Sequence, residues 1–344
     1  MDKINNNIPA ERAVMSGSML FADFMKCWLN EVKDLIKPST WEGYDKVTNN
    51  KIIPYFKPKH QKLNELKGFD FTKYFAYLKE HGKRNGANGL GKKSIENIRG
   101  VLSSAFGFAV ENDLIDYNYI IHSHLPKFSQ TEPKRKTVIY TSEQILRLLD
   151  YAEQTNPDVY VFLMLVVSTG ARKGEIMGLS WDNVDFERGT IHICKNRTGN
   201  RKELLSVPTT PKSDNSDRIL SLPQKTMQVL ANEKERQNKY RRIFKDSYID
   251  YEYDYVLRKA DGSYYNPNSY NRTINKMMTK LNLPHCTVHD LRHTVATLLF
   301  ESNVDLKDIS KQLGHGQIST TERIYISRYN VVDNTNIIEN FLGF

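Results

Sequence analysis

From Met19 onward the apolar positions Phe21, Phe24, Met25, Trp28, Leu29 and Val32 recur three and four residues apart, the period of an amphipathic helix. Pro38 interrupts that pattern, and Ser39-Thr40-Trp41-Glu42 reads as a capping box opening a second helix. A third helical stripe runs through Phe71, Tyr74, Phe75 and Leu78, and stops at a loop carrying Gly82, Gly86, Gly89 and Gly91. A fourth follows Lys92-Lys93-Ser94 with Ile95, Ile98, Val101, Leu102, Ala105, Phe106 and Ala109. No stretch of this half alternates as a strand would. Residues 1–17 are polar and predicted to be a flexible N-terminus, and residues 18–123 a small all-helical bundle.

Residues 124–137 are basic and punctuated by Pro126 and Pro133, with little to bury, and read as a linker. The pattern restarts at Thr141-Ser142-Glu143-Gln144, another capping box, and continues through the uninterrupted apolar run Val159–Val167. A strand-rich island comes next, with candidate strands at Thr190–Cys194, Glu203–Val207 and Arg218–Leu222. The polar stretch Pro211–Asp217 has the composition of a turn between the last two. Beyond Pro223 the chain is helical again, apart from an irregular Tyr-rich stretch around Tyr248–Tyr265. Residues 138–330 therefore read as a mainly helical domain with one small antiparallel sheet on its edge. The tail, 331–344, is apolar at helical spacing through Ile337, Ile338, Phe341, Leu342 and Phe344. The predicted fold class is mainly α, in two domains.

Composition narrows the functional classes. At 344 residues the chain has room for two domains, and 39% hydrophobic content supplies packed cores, which argues against a disordered chain. The apolar run Val159–Val167 is far short of the roughly 20 residues a spanning helix needs. The N-terminus lacks the apolar stretch of a secretory signal. Three scattered cysteines (Cys27, Cys194 and Cys286) suit reduced thiols better than a disulfide or zinc framework. With 49 Lys+Arg against 40 Asp+Glu, the net charge is +9, which makes a polyanion a natural partner.

Four local patterns carry candidate chemistry. In Thr169-Gly170-Ala171-Arg172-Lys173-Gly174-Glu175, Glu175 can brace the guanidinium three residues before it. Lys212 lies in the polar turn. In Thr287-Val288-His289-Asp290-Leu291-Arg292-His293, Thr287 can cap a helix that sets His289 and Arg292 on one face, with Leu291, Val295 and Leu298 on the other. His293 also falls on the turn after His289, so spacing leaves the choice of histidine open. In Leu313-Gly314-His315 the glycine can end a helix and turn His315 off its end, and the Ser319-Thr320-Thr321 run can cap a further helix bearing Tyr325.

These residues are the set that metal-free phosphoryl transfer needs. Two guanidiniums can clamp the non-bridging oxygens of a phosphodiester. Histidines can exchange protons, a tyrosine can attack phosphorus, and a lysine can protonate the departing alkoxide. There is neither a GxxxxGK[ST] phosphate loop nor an acidic cluster suited to Mg²⁺.

The four patterns, in this order, resemble the tyrosine recombinase family, in particular the integrases of phages and conjugative transposons. The match is detailed in the second half; the first half resembles the family's core-DNA-binding domain by shape alone. The resemblance implies that Arg172 and Arg292 clamp the scissile phosphate, with His289 beside them as proton acceptor or donor. It implies that His315 is a second hydrogen-bonding group, Lys212 the general acid for the 5′ oxygen, and Tyr325 the nucleophile that forms a 3′-phosphotyrosine. Glu175 resembles the family's acid that supports the first arginine. Tyr329 lies one helical turn beyond Tyr325, and Lys195 and Lys202 share the sheet region with Lys212, so both assignments have a neighbouring alternative.

The implied activity is site-specific recombination through a Holliday junction, integrating or excising a mobile element without metal, ATP or other cofactor. The implied partners are double-stranded DNA at attachment or core sites and three further copies in a tetramer, with the tail docking in trans. An excisionase or a host DNA-bending protein is a further candidate partner. No membrane is expected, and the place of work would be the bacterial cytoplasm, on DNA. An additional N-terminal arm-binding domain, common in such integrases, is expected to be absent here or to have been truncated. The same chemistry serves type IB topoisomerases and hairpin telomere resolvases. A non-catalytic helix-turn-helix regulator at Asp305–Tyr325 would leave Arg172, His289, Arg292 and Tyr325 without a role.

Overall fold

The computed structural model describes residues 15–82, 89–128, 137–197 and 217–314. The chain divides into two units, residues 1–134 and 135–344, each around its own hydrophobic core.

The first unit is helical: α1 (Phe21–Glu31), α2 (Pro38–Val47), α3 (Ile53–Phe56), α4 (Gly68–His81) and α5 (Lys92–Glu111). The stripes predicted from the period are the buried faces: Phe21, Phe24, Met25, Trp28 and Leu29 on α1, Phe71, Tyr74, Phe75 and Leu78 on α4, and all seven positions from Ile95 to Ala109 on α5. Aromatic rings fill the centre edge to face, the arrangement their quadrupoles favour. Phe21 meets Phe56 at a centroid distance of 4.9 Å, and Phe71 meets Phe106 at 5.1 Å.

Two details differ from expectation. Pro38 is the first residue of α2 rather than a break ahead of it, and Ser39–Glu42 form no cap; the helix starts without a side-chain cap at Lys37. The first helical N–H has no partner within the helix, so a proline costs nothing there. Between α2 and α3 the chain widens into a π-turn at Thr48–Ile52, just ahead of Pro54. A proline lacks the N–H that would continue the regular ladder, and the wide turn accommodates the loss. The first part of the stretch expected to be a linker packs on this unit. The His124 N–H donates to Thr72 Oγ1 (2.9 Å), Lys79 Nζ donates to the Lys127 carbonyl (2.9 Å), and Leu125 and Phe128 lie against the core. Its remainder, 129–136, is outside the described residues.

The second unit begins with α6 (Ser142–Thr155), opened by the predicted capping box. Thr141 Oγ1 accepts from the Gln144 N–H (3.2 Å), and Gln144 Oε1 accepts from the Thr141 N–H (3.0 Å). The apolar run lies in α7 (Pro157–Thr169), which is buried along nearly its whole length. A helix apolar on every side has to be covered on every side, and α7 is the hub of the unit. Against it pack α6, the short α8 (Lys173–Met177), α9 (Gln224–Phe244), α10 (Pro267–Lys280) and α11 (Val288–Glu301). The last described helix is α12 (Leu306–Leu313), which packs on α11 through Ile309, Leu313 and Ala296.

The sheet is small and antiparallel, in the order β1 (Val184–Asp185), β2 (Thr190–Ile193), β3 (Arg218–Ser221). Ile191 pairs with Leu220, and Ile193 with Arg218. The expected strands at 190 and 218 are thus neighbours, and β1 is an addition too short to leave a periodic signature. The candidate strand Glu203–Val207 and the turn Pro211–Asp217 fall, all but Asp217, outside the described residues. The mainly α fold with a small antiparallel sheet agrees with the class read from the sequence. Among the described residues no helix is long and apolar enough to cross a membrane.

Candidate active site

The site is built where α7 ends. Gly170 terminates that helix in the left-handed region (φ +63°), its N–H returning to the Val166 carbonyl (2.8 Å). The chain turns sharply there, and Arg172 becomes the N-cap residue of α8. Glu175, in the first turn of α8, closes a reciprocal contact: one carboxylate oxygen accepts from the Arg172 backbone N–H (2.9 Å) and the other from its Nη1 (2.7 Å). The brace predicted from the i, i+3 spacing is therefore present, and its two ends differ in exposure. The Glu175 side chain is 3% exposed, whereas the Arg172 side chain is 40% exposed.

A second arginine reaches the same carboxylate. Arg218, at the start of β3 and 7% exposed, donates through Nη2 to Glu175 Oε2 (2.9 Å). Burial by itself would raise the Glu175 pKa; the Arg218 and Arg172 guanidiniums bound to it hold it below the usual carboxylate range. In the sequence, Arg218 marks only the start of a strand. A single arginine there has no local signal, because its partners lie 43 and 94 residues away.

Thr287 caps α11 as predicted: its Oγ1 accepts from the Asp290 N–H (3.1 Å), and Asp290 Oδ2 accepts in return from the Thr287 N–H (2.8 Å). That start sets His289 and Arg292 on a common face. Arg292 is 2% exposed, and its Nη1 donates to the Gly170 carbonyl (2.9 Å). From the other side, Arg172 Nη2 donates to the carbonyl of Gly314 (3.0 Å), the left-handed residue (φ +69°) that ends α12. The carbonyls of two helix ends are thus each held by a guanidinium, and α7, α8, α11 and α12 meet at one place.

His289 and His293 stack edge to face with ring centroids 4.6 Å apart. Burial lowers the pKa of both. Arg292 adds to the effect at His289, and His289 adds to it at His293, which is pushed down to about 4. Both imidazoles are neutral near pH 7. An open cleft of about 430 Å³ is lined by Arg172, His289, Arg292, Lys173 and Asn271. His293 is absent from that lining, so of the two histidines left open by spacing, His289 is the one that faces the cleft.

Each guanidinium carries five N–H donors, more than these anchors use. Two of them beside a neutral imidazole form a site that can bind a tetrahedral anion and take up a proton. The structure brings together Arg172, His289 and Arg292 from the predicted set. Lys212, His315 and Tyr325 lie outside the described residues, as do the alternatives Lys202 and Tyr329.

The profile described as "Phage integrase family" matches residues 139–330, and that described as "Phage integrase, N-terminal SAM-like domain" matches residues 20–78. A XerC-like tyrosine recombinase of Caldanaerobacter subterraneus subsp. tengcongensis is 28% identical over 314 residues, 88% of this chain and 78% of that one. The ICEBs1 integrase of Bacillus subtilis is 26% identical over 94% of this chain and 83% of its own length. In backbone the chain is similar to the Tn1549 transposon integrase, solved with a circular-intermediate DNA. The TM-score is 0.69 at 20% identity, over 93% of this chain and 99% of that one. A lambda integrase dimer on a core site gives 0.60 at 16% identity, over 92% and 80%. With one profile covering more than half of its length, and the arginine–histidine cleft formed inside that span, the chain belongs to the phage integrase family of tyrosine recombinases, enzymes of site-specific DNA recombination.

Proposed function

We propose that this recombinase integrates or excises a mobile element by cleaving and rejoining DNA through a 3′-phosphotyrosine and a Holliday junction. Arg172 and Arg292 bind the non-bridging oxygens of the scissile phosphate and stabilise the charge that accumulates in the transition state. His289, held neutral, takes the proton of the attacking hydroxyl, and Tyr325 supplies that hydroxyl. His315 donates a hydrogen bond to the phosphate, and Lys212 protonates the 5′ oxygen as it leaves. The phosphotyrosine conserves the energy of the broken bond, so religation needs neither ATP nor a metal. The enzyme works as a tetramer on double-stranded DNA in the bacterial cytoplasm, with residues 331–344 docking on a neighbouring copy. An excisionase or a host DNA-bending protein would set the direction.

The observation that carries this reading is the cleft shared by Arg172, Arg292 and His289, whose arginines are fixed to the Gly314 and Gly170 carbonyls. Such anchoring fixes the donors before substrate arrives, so little reorganisation is left for the reaction itself. A nicked attachment site that traps the covalent adduct tests the assignment. Tyr325→Phe should abolish the adduct and keep DNA binding, whereas an adduct that persists in this variant moves the nucleophile to Tyr329. Arg172→Ala should bind the same DNA and form adduct slower by about 10³–10⁵-fold, the scale on which a phosphate-clamping arginine acts in other phosphoryl-transfer enzymes. An unchanged rate would remove Arg172 from the clamp.

A further inference from the structure

Arg218 stands outside the set of groups expected to touch DNA, yet it is one of the most thoroughly engaged side chains of the second unit. Its Nη2 donates to Glu175 Oε2 (2.9 Å), and its Nε donates to the carbonyl of Gln312 (2.7 Å). Gln312 lies in the last turn of α12, where backbone carbonyls have no partner within the helix. Two residues on, the Gly314 carbonyl takes the Nη2 of Arg172. Glu175 therefore sits between two guanidiniums, and each of them also grips the C-terminal end of α12. Positive charge is favoured at that end of a helix, and the four contacts close a ring: Arg172, Glu175, Arg218, the end of α12, and back to Arg172.

We propose that Arg218 is a positioning residue for strand cleavage: it locks the end of α12 to the Glu175 carboxylate that orients Arg172, so that the phosphate clamp is set only when α12 is seated against β3. The chain leaves α12 directly into the segment that carries His315 and Tyr325, and it enters β3 six residues after Lys212. Arg218 thus ties the arginine clamp to the elements from which the other reacting groups depart. This inference rests on the recombinase reading given above.

Among the described residues, the charged groups that bear on Glu175 are Arg172, at the head of its own helix, and Arg218, from β3. With Arg218 neutralised, burial would act on the carboxylate against Arg172 alone, and Glu175 would take up its proton at a higher pH. A protonated Glu175 accepts from Arg172 poorly, so loss of Arg218 has a consequence that depends on pH and that a simple packing defect lacks.

The test measures single-turnover adduct formation on a nicked attachment site against pH for the wild type, Arg218→Met, Arg218→Lys, Glu175→Gln and the double variant Arg218→Met/Glu175→Gln, with DNA affinity measured alongside. Arg218→Met should form adduct on the order of a hundredfold slower, the scale of displacing a reacting group by about 1 Å, with DNA affinity changed less than about threefold. Its acid limb should move up by about one pH unit or more, the size of shift that a neighbouring opposite charge produces. Arg218→Lys should return the limb toward the wild-type position, because it keeps the charge, while the rate stays below wild type. In the Glu175→Gln background the Arg218-dependent shift should vanish, leaving only the limb set by protonation of His289, and Arg218→Met should add little. An Arg218→Met protein that is folded and binds DNA, yet cleaves at the wild-type rate, would overturn the proposal. So would one that is slow with an unshifted acid limb. If instead the wild type forms no Tyr325-dependent adduct, it is the recombinase reading that fails.

Discussion

Two neutral imidazoles packed among arginines give the site a specific response to acid. Burial and the facing His289 hold His293 at about 4, against an ordinary histidine value of 6.5. The native state then binds fewer protons than the unfolded chain between these limits. The contribution of His293 to stability is complete above about 6.5 and is lost as pH falls through about 4. Melting temperature should decline across this window, and His293→Gln should flatten the decline; an equal slope in the variant would remove His293 as its source. Glu175 acts in a lower window, because its pKa is depressed below 4.5 and its stabilisation disappears only under more acid conditions. Gly170 tests the other residue-scale constraint. It occupies φ +63°, and an added Cβ would stand 2.6 Å from Leu313 Cδ2, inside the contact between α11 and α12. Gly170→Ala should lower unfolding free energy by about 1–3 kcal/mol in urea denaturation, from left-handed strain and overpacking together.

Among elements, α7 carries the second unit. Phe162 is fully buried in it and stacks on Tyr270 of α10 at a centroid distance of 4.6 Å. Phe162→Ala should therefore cost about 3–5 kcal/mol through lost transfer energy and an unfilled cavity. Thr141→Ala, which removes the cap of α6, should cost only about 1 kcal/mol. Denaturant midpoints of the two variants would settle the ranking, and the reverse order would show that α7 is not the hub. The elements legible in the sequence were those whose causes are local. Thr141 and Thr287 lie three residues from the groups they cap, and the stripes of α1, α4 and α5 each repeat along one helix. Pro38 carries no decisive local signal, because a proline suits both a break and a first helical position, and the choice depends on what precedes it. β1 escaped notice because two residues show no alternation. In the site, the motif around Arg172 and the cap of α11 were visible. The bonds from Arg292 to Gly170, from Arg172 to Gly314 and from Arg218 to Gln312 were not, since each depends on how distant segments pack.

At the scale of the whole molecule, the proposed mechanism divides the excess of nine positive charges between a phosphate that reacts and phosphates that are merely held. Each phosphate neutralised on duplex DNA releases condensed counterions and contributes a slope of about −0.9 to log affinity against log salt. If roughly 6–10 phosphates are contacted, affinity should fall by about 10³–10⁵ between 50 and 200 mM salt. Within that total, we expect Lys134, Arg135 and Lys136, which sit in the basic stretch 124–137, to hold phosphates that do not react, and to behave differently from the proposed clamp of Arg172 and Arg292. Replacing the three basic residues by glutamine should flatten the slope by up to about 2.7, three contacts at about 0.9 each, and should leave the rate of adduct formation at saturating protein nearly unchanged. Arg172→Ala should flatten the slope by no more than about 0.9 while nearly abolishing cleavage. Salt titrations by fluorescence anisotropy, run beside adduct assays, separate the two effects. The division of labour fails if the glutamine variant keeps the full slope, for then the grip lies elsewhere in the chain. It fails equally if that variant loses cleavage at saturation, because the basic stretch would then be acting on the reacting phosphate.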